Sequence, residues 1–93
     1  MIFTSVRSGA DEVGYAAMAT AMDLLAREQP GYLGIESAHE VVGITVSYWR
    51  TADDARAWKQ VASHLGAQRL GKEKWYSAYV VRVATVDRDY RHP

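Results

Sequence analysis

Ninety-three residues make a single domain (residues 1–93) of modest size, in which eleven basic side chains are offset by eleven acidic ones. That balance, with no basic run, argues against nucleic acid or an anionic membrane as a partner. The absence of cysteine excludes disulfides, thiolate catalysis and Cys-ligated metal centres. The opening MIFTSVRSGADE has neither the basic start nor the apolar run of a signal peptide, and no window reaches membrane-spanning length. A cytoplasmic protein is expected. Three Trp, six Tyr and a 48% hydrophobic content are more apolar surface than a small monomer easily hides, which points to a second copy as cover.

In chain order, IFTSVR at residues 2–7 is short and rich in β-branched side chains, and Ser8-Gly9 ends it as a strand. Over residues 11–28, Tyr15, Met18, Met22 and Leu25 recur at helical spacing. Asp11 and Glu12 suit the positive end of that helix, and Pro30-Gly31 closes it. Residues 32–39 and 43–50 read as two strands of a hairpin joined through residues 40–42. Thr51-x-x-Asp54 predicts a capped helix start. The helix runs over residues 52–70, with Ala55, Trp58, Ala62 and Leu65 as its inward stripe. His64 lies about 600° around from Trp58 on a regular helix, so the two share a site only if the helix bends at Ser63-His64. Residues 69–74 read as a solvated turn, residues 75–86 as a last strand, and the polar residues from 86 to 93 as a loose tail. Trp75, Tyr79, Val81 and Val83 have one parity on that strand.

The order β-α-β-β-α-β is the split βαβ, or ferredoxin-like, α+β arrangement with an antiparallel sheet. Both helices cover one sheet face, and the other face is bare in a single copy. Two bare faces packed together make a barrel and hide the apolar surface.

Pro30-Gly31-Tyr32-Leu33-Gly34, the strand-end Tyr48-Trp49, the helical stretch from Ala55 to Trp58, and His64 together resemble the antibiotic biosynthesis monooxygenase family of dimeric α/β-barrel proteins. The likeness spans nearly the whole chain, residues 2–86. It implies a homodimer and, in one group of members, oxidation of polycyclic phenols to quinones by O₂ with neither metal nor flavin. In that group an Asn precedes the helix Trp by one turn and a Tyr follows it by six residues. This sequence keeps Trp58 and has Asp54 and His64 at those places. His64 can move a proton near neutral pH, whereas Asp54 donates a hydrogen bond only when protonated.

A second group binds and degrades haem with an Asn on the first strand, the helix Trp, and a His ten residues after it. Here the tenth residue is Gln68 and the first strand has no Asn, so Trp58 alone matches. A third outcome is a non-catalytic dimer that binds a small hydrophobic ligand or serves a stress response.

The resulting expectation is a cofactor-independent monooxygenase acting on a small aromatic or phenolic substrate, with haem chemistry as the alternative. His64, Trp58 and Asp54 are the candidate catalytic residues. Trp49, Tyr48, Tyr76, Met18, Met22 and Arg82 are the candidate substrate contacts. Each has a plainer role as well: core packing for Trp58 and the Met pair, a cap for Asp54, and for Arg82 an ion pair with a group such as Glu36. His39 and His92 read as solvated. No three ligands stand at metal-site spacing, so no metal is expected.

Overall fold

The structure is a computed structural model that describes residues 1–68 and 72–93, with side chains at 1–65 and 74–93. Its elements are β1 (Ile2–Arg7), α1 (Glu12–Arg27), β2 (Tyr32–His39), β3 (Val42–Trp49), α2 (Ala52–Gln68), a short α3 (Lys72–Trp75) and β4 (Tyr76–Arg82). The four strands form one antiparallel sheet in the order β2-β3-β1-β4. The α+β class, the element order and the ferredoxin-like topology are those expected.

Local chemistry sets each helix. Asp11 caps α1 from the left-handed region (φ 51°), its carboxylate accepting the Gly14 N–H at 3.1 Å. Glu12 sits in the first turn and Arg27 in the last, each at the dipole end that favours its charge. At the far end the Gln29 side chain donates to the Leu25 carbonyl at 3.1 Å, satisfying one of the last carbonyls. The chain then turns at Gly31 (φ 83°), whose carbonyl accepts the Arg50 N–H at 2.8 Å. A side chain at Gly31 would collide with the Asp54 carboxylate, so this turn requires glycine for both conformation and space.

Helix α2 starts as the sequence predicts, with Thr51 Oγ1 accepting the Asp54 N–H at 3.1 Å. The expected bend at Ser63-His64 is not there: α2 is continuous through that point. Nothing in Ser-His interrupts the i to i−4 ladder, since kinks need Pro, an inserted group or a bulge.

Residues directly opposite in a sheet share a face. Because Trp49 stacks on Trp58 of α2, the odd residues of β3 face the helices. The pairings then assign Phe3 and Ser5 of β1, Ile35, Ser37 and His39 of β2, and Tyr79 and Val81 of β4 to that side. The bare side carries Ile2, Thr4, Val6, Glu36, Ala38, Val42, Ile44, Val46, Tyr48, Ala78, Val80 and Arg82.

The last strand departs from expectation at both ends. Trp75 ends α3 rather than starting β4, and part of the expected turn at 69–74 is helical, while residues 69–71 lie outside the described ones. β4 stops at Arg82 because its partner β1 begins opposite it at Ile2, leaving residues 83–93 with no regular structure. A bulge also inserts Ser77, so that Val6 pairs with Ala78 and Arg7 with Tyr76. The bulge turns Tyr76 to the helix side beside Tyr79, which strict alternation in the sequence forbids. No helix among the described residues is long and apolar enough to cross a membrane.

Candidate functional site

The layer between helices and sheet has aromatic clusters at both ends and small, polar side chains between them. At one end Trp49 and Trp58 stack at 5.7 Å with 23° between planes, and Tyr32 meets Trp49 edge-on at 5.7 Å. The Trp49 indole N–H donates to Ser47 Oγ at 2.8 Å, which meets the polar need of a half-buried indole. Trp58 is 5% exposed. One face of its ring is taken by Trp49, so the sequence expectation of Trp58 as an open stacking surface holds for the other face at most.

At the opposite end Phe3, Tyr15, Tyr76 and Tyr79 pack together. Phe3 lies 5.2 Å from Tyr76 and 5.6 Å from Tyr79, and Tyr15 lies 5.9 Å from Tyr76. The Arg7 guanidinium sits 3.3 Å over the Tyr15 ring and pairs with Glu12 at 2.7 Å. Trp75, buried beneath α1, donates to Asp11 Oδ2 at 3.4 Å. Burial, and then the hydrogen-bonded Tyr15 phenol, push the Tyr76 hydroxyl well above the usual tyrosine range. Tyr76 therefore stays a neutral donor and acceptor throughout the physiological pH range.

Between these ends the central strands offer Ser5, Gly43, Thr45 and Ser47 to the helices. Sheet faces under helices are ordinarily built from large aliphatic residues. Here the floor is short side chains, with Ser5 and Ser47 buried at 6% and 4% exposure. Among the described residues no large side chain is wholly sealed from solvent. One cross-strand row runs His39, Gly43, Ser5, Tyr79 on this side. A Cβ at Gly43 would stand 3.3 Å from Ser5 Oγ and 3.5 Å from His39 Cβ, so a side chain there would crowd both neighbours.

Of the expected site residues, Trp58, Trp49, Tyr76, Met18 and Met22 come to this layer, with Met18 buried and Met22 half-buried on α1. Asp54 lies one turn before Trp58, and its backbone N–H and its contact with Gly31 make it part of the helix start. Tyr48 and Arg82 do not face this layer. Strand parity places both on the bare face, where Tyr48 donates to Glu36 Oε1 at 2.5 Å. That bond is the main reason the Tyr48 hydroxyl titrates above its ordinary value. His64 is exposed on α2, turned off the Trp58 stripe by the unbroken helix. No group of three metal-ligating side chains occurs among the described residues.

Sequence reading missed Phe3 and Tyr15, while Tyr79, placed on the parity of Val81, does join the cluster. His39, read as solvated, is exposed, on the helix-facing parity of β2. What the bulge at Ser77 hid was that Tyr76 and Tyr79 share a side.

The chain is 47% identical over 90 residues to the protein of Bacillus subtilis (strain 168) named "Uncharacterized protein YqjZ", a match covering 95% of this chain and 78% of that one. The chain belongs to the YqjZ family. Identity at this level along nearly the full length makes the fold common ground between the two. No protein-family model matches the chain.

Proposed function

We propose that this member of the YqjZ family is a cytoplasmic, homodimeric monooxygenase of the cofactor-independent, antibiotic-biosynthesis-monooxygenase kind, acting on a flat phenolic substrate between helices and sheet. One observation carries the reading: aromatic clusters flank the short side chains of Ser5, Gly43, Thr45 and Ser47 where a packed core would have aliphatics. Rings suit stacking on a flat substrate, and the hydroxyls of Ser5 and Ser47 suit its oxygens.

In this reaction a ring CH₂ beside a phenol or ketone loses a proton, and the resulting anion gives electrons to O₂. The CH₂ becomes a carbonyl, one oxygen atom enters the product and the other leaves as water. A flat substrate that displaces water from this layer has its anion raised in energy, which favours the electron transfer. Of the two exposed imidazoles, His39 stands on the helix-facing side of the sheet opposite Gly43 and takes the role of proton acceptor, while His64 lies off the Trp58 stripe. The haem arrangement does not fit, since Gln68 stands where its ligand is expected and the first strand has no Asn.

The homodimer has independent support. The chain exposes 6713 Å², about 1300 Å² more than the roughly 5400 Å² typical of a 10.4 kDa monomer. Part of that excess is the extended 83–93 segment, and part is the bare sheet face, where Val42, Ile44 and Val80 are 44–48% exposed. A standard interface takes about 800 Å² from each partner.

Oxygen uptake with anthrone under ¹⁸O₂ is the test. One labelled atom per anthraquinone above the enzyme-free rate is expected, with His39→Ala lowering kcat at least tenfold at little change in KM and His64→Ala leaving both near the original. No uptake above background, or saturable haemin binding at one per chain, overturns the reading.

A further inference from the structure

Resting on the homodimer proposed above, we infer that two copies dock by their bare sheet faces about a two-fold axis parallel to the strands, so that Glu36 of each chain meets Arg82 of the other. One cross-strand row of the bare face decides the matter. It runs Glu36, Val46, Ile2, Arg82, from the β2 edge to the β4 edge. An anion closes one end, a cation closes the other, and two aliphatic residues lie between.

Three strand spacings put those charges about 14 Å apart within one chain, too far to pair. Tyr48 holds one Glu36 oxygen at 2.5 Å and so orients the carboxylate, leaving Oε2 for a further donor. Among the described residues Arg82 has no carboxylate within ion-pair distance. Each end of the row is therefore a charge beside apolar surface, a costly arrangement once that surface is covered unless the charge is paired.

Face-to-face packing of identical sheets needs a two-fold axis lying between them, and this row separates the choices. An axis along the strands lays the β2 edge of one sheet over the β4 edge of the other. The row then falls on its own reverse, both ion pairs form at once, and Val46 and Ile2 meet in the middle. An axis across the strands lays β2 on β2 and β4 on β4. Arg82 would then face the partner's β4 and Glu36 the partner's β2, with neither charge neutralised. The two pairs are symmetric, so each single charge reversal creates two like-charge contacts.

The chain has no cysteine, so introduced thiols report the geometry directly. Chains carrying Glu36→Cys and chains carrying Arg82→Cys, mixed and mildly oxidised, are expected to give a covalent dimer that neither variant forms alone. In sedimentation equilibrium, Glu36→Arg and Arg82→Glu are each expected to weaken the dimer tenfold or more, and the double reversal to return it to within about threefold of the original. Circular dichroism of each variant checks that it is folded. A native chain that is monomeric at 100-micromolar order overturns the homodimer itself. A native dimer with self-crosslinking of Glu36→Cys, or with no rescue in the double reversal, overturns the orientation alone.

Discussion

Asp11 joins two distant parts of the chain with one carboxylate. Its oxygens accept the Gly14 N–H at 3.1 Å and the Trp75 indole at 3.4 Å, and Lys74 Nζ lies 3.6 Å away. The Gly14 bond first, and the Trp75 bond next, hold its carboxyl below the ordinary aspartate range. The folded chain therefore binds this proton more weakly than the unfolded chain does. Stability from Asp11 is complete above the unfolded value, near pH 4, and is lost as pH falls through the lower folded value. Asp11→Asn keeps a capping oxygen and removes the charge. Urea melts from pH 6 down to pH 2 should show a smaller acid-side loss in that variant than in the original chain, and equal losses would deny Asp11 this part. The sequence made Asp11 legible as a charge at a helix start. Its left-handed backbone and its Trp75 partner, 64 residues on, were not legible, because both depend on where α3 docks.

At the level of elements, α2 carries the difference between an expected and an observed site. Periodicity correctly put Ala55, Trp58, Ala62 and Leu65 on one stripe, and Ala55 and Trp58 are the buried pair. The same 100° step puts His64 off that stripe, and a continuous helix leaves it there. Trp58 is thus both wall and core. Trp58→Ala should cost about 3–5 kcal/mol, while Trp58→Phe, which keeps an aromatic face against Trp49, should cost clearly less. Denaturant titration measures both, and equal costs would show that the Trp49 contact contributes little. Hairpin β2–β3 was legible almost to the residue from its flanking Gly, Pro and alternation. Strand β4 was not, because a bulge changes parity without changing composition.

For the whole molecule, composition already pointed to unhidden apolar surface, and the structure places one contiguous part of it on the bare sheet face, with Val13, Leu24 and Val41 exposed elsewhere. If that face is covered by a second copy, unfolding also separates two chains, and stability becomes a function of concentration. A tenfold rise in protein concentration should then raise Tm by roughly 3–5 °C for a pair of this size. A Tm independent of concentration would mean that the face stays open to water. The identity of the substrate was never legible, since walls of Trp and Tyr define a shape and a polarity rather than a compound.

The Ser77 bulge has a consequence for which rings meet. One residue of slack decides which phenols line the interior and which aliphatics lie on the outer face. Were Ser77 paired in strict alternation, Tyr76 and Tyr79 would fall on opposite faces, and one phenol would leave the cluster with Phe3 and Tyr15. The tyrosine cluster is thus held together by an unpaired residue of the strand as much as by the rings themselves.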